Sequence, residues 1–317
     1  MTGNGKKVGI VGSGLIGRSW AMLFAGAGYQ VSLFDAVDSQ IPGALDDIRS
    51  QLDQMERHGM LRGDLTADQQ LQLITGAKDL AECVSGAVHV QECVPERLEL
   101  KQQVFEQLDR LTDGSTVLSS STSCLAPSKF TQTLQHRSSC LVAHPVNPPF
   151  YVPLVELVPA PWTDPEVVRR TRELMLEIGQ DPVTLGKEMP GFALNRIQYA
   201  ILNECWRLIA NGVLDVQDVD LLMKSGLGPR YAFMGPLETA HLNAEGMANY
   251  CDRYSKTVFS VSETFGPVPR MEGKLAEEVD TQMTRIVPLE KLQERRAWRD
   301  VRLAALARLK KDMDSGK

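Results

Sequence analysis

The chain lacks any apolar run close to the roughly 20 residues that a membrane-spanning helix requires. Its first residues, MTGNGKK, hold no apolar core of a secretory signal, so export is not expected. It also lacks a basic surplus: 34 Lys and Arg stand against 40 Asp and Glu, a net charge of −6. Nucleic acid and anionic membrane surfaces are therefore not expected partners. The six cysteines (Cys83, Cys93, Cys124, Cys140, Cys205, Cys251) show no CxxC and no zinc-ligand spacing. That reads as reduced cytosolic thiols, mostly buried, with no metal site. There is no internal repeat and no low-complexity tract. What is present is an ordinary globular composition, 43% hydrophobic and 23% charged, over 317 residues, enough for two domains.

The most informative stretch is Lys6 to Asp35, KKVGIVGSGLIGRSWAMLFAGAGYQVSLFD. Val8–Val11 reads as a short buried parallel strand. Gly12-Ser13-Gly14-Leu15-Ile16-Gly17 follows at once. Trp20, Met22, Leu23 and Phe24 then recur at helical spacing up to Gly26-Ala27-Gly28. A second strand, Val31–Phe34, ends on Asp35, 21 residues after Gly14. The three glycines serve different ends. Gly12 makes the tight turn, Gly14 lets a pyrophosphate approach the backbone, and Gly17 lets the helix pack on the strand. The helix N-terminus offers N–H groups to the phosphates. Asp35 is placed to bond a ribose 2′-hydroxyl, and the next residues are Ala36, Val37 and Asp38. A 2′-phosphate would meet carboxylates, so the expected cofactor is NAD rather than NADP.

Further strands are expected at Val88–Val94, Thr116–Leu118, Cys140–Ala143, Leu154–Val158 and Pro182–Leu185. Residues 40–75 read as a helical hairpin with Thr66 capping its second arm and His58 as a surface residue at a helix end. Helices are expected over 98–108 and 165–178. Strands alternating with helices mean a doubly wound sheet. From Pro190 onward the signals are helical. Phe192–Ile209 reads as a buried helix, apolar all round. Asp215 caps the next, which is expected to end at Gly226-Leu227-Gly228. Residues 288–313 form the last, opened by Pro288, with a stripe of Trp298, Val301, Ala305 and Leu309. The fold class is α/β: a Rossmann-type doubly wound domain over 1–189, then an all-helical domain over 190–317.

Loops beyond the carboxyl ends of the strands meet at the ligand crevice of such a sheet. Three of them carry polar groups: Pro95-Glu96, Ser119–Ser123 and His144–Asn147. His144 and Glu156 lie on neighbouring expected strands joined by a proline-stiffened turn. A neutral His held by a carboxylate suits oxidation of an alcohol, which needs a base for the hydroxyl proton while hydride leaves for a nicotinamide.

These motifs resemble the 3-hydroxyacyl-CoA dehydrogenase family. The chain has the glycine turn, Ser121-Thr122-Ser123-Cys124-Leu125, His144-Pro145-Val146-Asn147-Pro148, Glu156, Pro190-Gly191-Phe192-Ala193-Leu194-Asn195-Arg196 and Met234-Gly235-Pro236-Leu237-Glu238, in the family's order. The resemblance implies that His144 is the base and Glu156 its partner. It implies that Ser123 and Asn195 hold the reacting oxygen with support from Asn147. Glu96 and Lys101 match nicotinamide-side contacts. HPVNPPFYVPLVELVP and GLGPRYAFMGPLETAHLNAEGM resemble a branch that oxidises a small free 3-hydroxy acid, L-gulonate, to 3-dehydro-L-gulonate with NAD, as a cytosolic homodimer. Some members of that branch serve as abundant lens proteins.

Two features depart from the acyl-CoA enzymes. The resemblance puts CoA against the 40–75 hairpin, yet here six acids outnumber three bases, a net charge of −3. CoA phosphates favour Lys and Arg. Arg230 lies just ahead of Met234-Gly235-Pro236 and is a candidate grip for a substrate carboxylate, the alternative being an ordinary salt bridge. The competing readings are a 3-hydroxyacyl-CoA dehydrogenase, a carnitine dehydrogenase with Tyr231 and Phe233 around the ammonium, and a structural lens protein with incidental activity.

Overall fold

A computed structural model describes residues 5–314; the first residues of the chain, and with them most of MTGNGKK, lie outside the described residues. In chain order the elements begin with β1 (Lys7–Val11), α1 (Leu15–Gly26), β2 (Gln30–Phe34), α2 (Gln40–Arg57), α3 (Ala67–Gln72) and β3 (Ile74–Gly76). Then come α4 (Leu80–Val84), β4 (Ala87–Glu92), α5 (Leu98–Leu111), β5 (Val117–Ser120), α6 (Ser128–Thr131), β6 (Cys140–Pro145), β7 (Leu154–Pro159), α7 (Pro165–Glu177) and β8 (Asp181–Thr184). The helical part holds α8 (Leu194–Ala210), α9 (Val216–Leu222), α10 (Gly228–Tyr231), α11 (Pro236–Leu242), α12 (Met247–Ser262), α13 (Gly273–Ile286) and α14 (Leu292–Asp314).

The eight strands form one sheet in the order β3-β2-β1-β4-β5-β6-β7-β8. All neighbours run parallel except β6 and β7. The strand order reverses between β1 and β4, which is where an open parallel sheet opens a crevice at its carboxyl edge. Apolar side chains cover both faces. Trp20 and Phe24 of α1, Ile48 and Leu52 of α2, and Val167 and Met175 of α7 pack in one cluster. Phe105 and Leu108 of α5, Phe130 of α6 and Phe192 pack in the other. Burying each such large side chain contributes about 1.5–3 kcal/mol, so the sheet is a rigid base for the loops at its edge.

Two compact units divide the chain. One comprises residues up to Arg196 with Leu303–Arg308; the other comprises Ile197–Arg302 and the residues from Leu309 on. The helical unit has its own small core of Ile209, Val216 and Val219.

Local chemistry explains where the elements depart from expectation. The strand expected to reach Val94 stops at Glu92, whose carboxylate takes the Val94 N–H at 2.6 Å. The second arm of the hairpin is only six residues long, closed by a Thr66–Gln69 capping box, and β3, too short for any periodicity to show, follows it. The helix begun at Asp215 does not stop at its glycines. It passes through a π turn, Met223–Leu227, into α10, because Gly226 and Gly228 do not take the left-handed backbone that ends a helix. The last helix starts after a 3-10 turn, Leu289–Lys291, rather than at Pro288.

α8 is not enclosed within the single chain: Ile197 is 60% and Tyr199 48% exposed. On α14, Trp298 is covered by Arg295 and Arg302, 3.6 and 3.7 Å from its ring centre, rather than by core packing. Val301 and Leu309 are exposed, and among the described residues of that helix Ala304 is the buried one.

Candidate active site

The glycine turn follows β1 at the point where the strand order reverses. Gly12 has φ +106°, and a Cβ there would lie 2.8 Å from the Cys93 carbonyl oxygen. A Cβ on Gly17 would lie 1.9 Å from the Gly12 carbonyl oxygen, so α1 reaches its packing distance only with glycine at that position. Among the described residues nothing stands within 4 Å of the Cβ position on Gly14. No side chain caps α1, and Leu15 at its first turn is 70% exposed, with Ile16 half-buried beside it. Open space over Gly14 beside uncapped N–H groups fits a dinucleotide pyrophosphate.

Asp35, just past β2, is tied to this turn. Its Oδ2 accepts from Ser13 N at 2.8 Å and Ser13 Oγ at 2.7 Å, and its Oδ1 accepts from Val37 N at 3.0 Å. Burial alone would raise its pKa, but these bonds and the positive charge of Arg18 together hold it below the ordinary value. Arg18 is a residue that sequence reasoning alone does not single out. Its Nε donates to Ser13 O at 2.8 Å and its guanidinium pairs with Asp47 at 3.0 Å. Its place one residue after the last glycine of the motif is the signal that could have found it.

His144 and Glu156 are register partners across the antiparallel β6–β7 pair. Their side chains meet, Nδ1 to Oε2, at 2.8 Å, and both are buried. The other carboxylate oxygen accepts from Ala193 N and Leu194 N, each at 2.8 Å. Those N–H groups are presented by two successive left-handed residues, Gly191 at φ +73° and Phe192 at φ +51°. The Phe192 ring packs 5.6 Å from the imidazole, centre to centre. Burial pushes the Glu156 pKa up, but the hydrogen bonds from His144, Leu194 and Ala193 and the His144 charge outweigh it and leave it below the ordinary value. A carboxylate so held is an acceptor, so the neutral imidazole of His144 carries its proton on Nδ1. Nε2 makes no hydrogen bond among the described residues, and its lone pair is available to accept a proton.

The loop after β5 is held from both sides. Glu96 Oε1 accepts from Thr122 Oγ1 at 2.5 Å and from Ser123 N at 3.0 Å. Asn195 Nδ2 donates to Ser123 O at 2.7 Å. The Ser123 backbone is thus committed, while its hydroxyl makes no hydrogen bond among the described residues. Burial raises the Glu96 pKa, but Thr122, Lys101 and the Ser123 N–H bring it below the ordinary value. Lys101 is 1% exposed. Its ammonium is shared between Glu92 at 2.9 Å, Val94 O at 3.3 Å and Glu96 at 3.5 Å, so it faces protein groups. Glu92, fully buried, shows in the sequence only as part of a strand.

Asn147 sits on the exposed turn after β6, joined to Pro148 by a cis peptide bond, and its side chain makes no hydrogen bond among the described residues. Arg230 lies on α10 in the helical unit, exposed and without an ion pair among the described residues, so the ordinary salt bridge is not seen. A series of hydrogen bonds, ended by the Lys101–Glu96 ion pair, therefore joins His144, Glu156, the start of α8, Asn195, Ser123, Glu96 and Lys101, drawn from positions up to about a hundred residues apart. Arg62, counted in the sequence as a base of the hairpin, is turned inward. It donates to Phe150 O at 2.5 Å, Gly179 O at 3.0 Å and Gln180 Oε1 at 2.8 Å.

The NAD binding domain of 3-hydroxyacyl-CoA dehydrogenase matches residues 7–189, and the C-terminal domain of the same enzyme matches residues 191–283. Lambda-crystallin from Oryctolagus cuniculus is 55% identical over 306 residues, 96% of each chain. The lambda-crystallin homolog from Homo sapiens is 54% identical over 303 residues, 95% of each chain. Among solved structures, 5-formyl-3-hydroxy-2-methylpyridine 4-carboxylic acid 5-dehydrogenase, an NAD-dependent dismutase, superposes with a TM-score of 0.74 at 25% identity and covers 98% of this chain and 99% of its own. NAD is accordingly the cofactor of this chain. With both domains matched in order over most of its length, the chain belongs to the 3-hydroxyacyl-CoA dehydrogenase family.

Proposed function

We propose that this dehydrogenase oxidises a small free 3-hydroxy acid, L-gulonate before others, to the 3-oxo acid, with His144 as base. NAD, when bound, supplies the hydride acceptor. His144 Nε2 takes the hydroxyl proton of the substrate. Glu156 keeps the tautomer that leaves Nε2 unprotonated and stabilises the imidazolium that results. The Ser123 hydroxyl and the Asn195 amide, both on backbone fixed by the series above, hold the reacting oxygen, with Asn147 at the rim. Arg230 meets the substrate carboxylate in a forked pair.

The observation that favours a free acid over an acyl-CoA is the charge of the α2–α3 hairpin. The family resemblance puts CoA against it, and it carries a net −3. One of its three bases, Arg62, is spent on backbone carbonyls inside the protein. The bases left facing solvent are Arg49 and Arg57. CoA phosphates would find mostly carboxylates there. Likeness to lambda-crystallin supports the same branch.

NADH formation with L-gulonate, 3-hydroxybutyryl-CoA and carnitine, measured side by side, tests the reading. Gulonate is expected to give the highest kcat/KM; a higher value with the acyl-CoA would refute it. We also infer a cytosolic homodimer. Six free cysteines suit a reducing compartment. The exposed apolar residues of the helical unit, Phe259 and Val261 among them, suit a second copy. A monomer by light scattering at micromolar concentration would count against the dimer.

A further inference from the structure

We infer that Glu92 is the positioning residue of the Ser123 loop, acting through Lys101 and Glu96 on one side and through Ser120 on the other. The inference deepens the proposed function, because it gains catalytic meaning only if Ser123 holds the substrate oxygen.

Glu92 ends β4 beside the glycine turn, paired in register with Val11, and is fully buried. A buried carboxylate is costly unless its oxygens are matched. Here both are. Oε1 accepts from Val94 N at 2.6 Å and Lys101 Nζ at 2.9 Å. Oε2 accepts from Ser120 Oγ at 2.6 Å and Lys101 Nζ at 3.1 Å. Its backbone oxygen takes Ser121 N at 2.8 Å.

Two routes run from this hub to the loop. On the first, Lys101 reaches Glu96 at 3.5 Å, and Glu96 grips Thr122, Ser123 and Cys124. On the second, Ser120 Oγ donates to Glu92 and accepts from Thr122 N at 3.1 Å. The loops after β4 and β5 are therefore fastened to one carboxylate. Without its charge, the buried Lys101 ammonium keeps only Glu96 as an ionic partner and draws it away from the loop.

The test uses the full chain with Glu92→Gln and, in case that variant does not fold, Ser120→Ala, which removes one fastening and no charge. Two readouts are taken. The first is the alkylation rate of Cys124, followed on its own peptide. This exposed thiol lies next to Ser123 and bonds Glu96 at 3.5 Å, so it reports the loop without any assumption about substrate. The second is kcat and KM for the hydroxy acid against the Kd for NAD. The expected result is Cys124 alkylation faster by roughly 5-fold or more as the loop opens locally. With it, kcat/KM should fall roughly 10- to 100-fold, as misplacement of a reacting group costs. Unchanged alkylation in a folded variant overturns the inference. Faster alkylation with unchanged kcat and KM supports Glu92 as the loop's fastening and refutes instead the role given to Ser123.

Discussion

Glu156 divides its carboxylate between two duties: Oε2 holds His144 Nδ1 at 2.8 Å, while Oε1 takes the backbone N–H groups of Ala193 and Leu194. The residue that fixes the imidazole thus also fixes the start of α8, and with it Asn195. His144→Ala is expected to lower kcat roughly 10²–10⁴-fold, with NAD affinity retained. Glu156→Gln should keep the start of α8 but cost turnover, because an amide whose oxygen accepts from Ala193 and Leu194 turns its N–H to the ring nitrogen and reverses the tautomer. Steady-state kinetics with NAD titrations decide the matter; a near-normal kcat in either variant rejects the pair as the catalytic unit.

Asp35 should select NAD over NADP. Asp35→Ala is expected to weaken NAD and to relax the discrimination against NADP, since the carboxylate that would repel a 2′-phosphate is gone and the positive charge of Arg18, which acts on Asp35, remains. Dissociation constants for both cofactors provide the check. Equal affinity of the unaltered chain for NAD and NADP would defeat the assignment.

Arg230→Met should raise KM for a hydroxy acid roughly 10- to 100-fold, from a loss of about 1.5–3 kcal/mol for a charged hydrogen bond. NAD affinity should not change. Lys at that position should rescue only in part, as it lacks the fork. An unaltered KM would mean that the carboxylate is held elsewhere.

His89 makes stability depend on pH. Its Nε2 bonds Gln91 Oε1 at 3.0 Å, its Nδ1 has no partner among the described residues, and burial lowers its pKa from 6.5 to about 4. As pH falls below 6.5 the unfolded chain takes up this proton and the folded chain does not, so stability declines down to about pH 4. Between pH 7 and pH 5 the loss from this group is roughly 2 kcal/mol. Urea unfolding at both pH values should show it, and His89→Gln should remove that part of the slope. An identical slope in the variant would mean that His89 is not the responsible group.

The glycine turn, α1, β2 and Asp35 were legible in the chain because their causes are local. Gly17 is required because a Cβ there would strike the Gly12 carbonyl of the same turn, Gly12 takes a backbone of positive φ that glycine permits, and the strand–helix alternation of apolar residues spans only a few positions. His144 and Glu156 were legible for a related reason. A short turn between adjacent antiparallel strands brings fixed sequence positions face to face.

The tertiary structure decided what depends on sheet order and on the paths of loops. Glu92 and Lys101 become a buried hub because β4 lies between β1 and β5. Arg18 reaches the surroundings of Asp35 because α1 packs where Gly17 allows it. Arg62 turns inward because the β6–β7 turn and the loop between α7 and β8 each offer it a carbonyl group. In a sequence each of these residues is a charge, to be read as surface. Only the fold supplies the opposite charges and carbonyls that offset the cost of burial. α8 shows the converse: its all-round apolar content marked a helix to be covered, but the single chain leaves Ile197 and Tyr199 open, since composition names residues to be buried and not what lies against them.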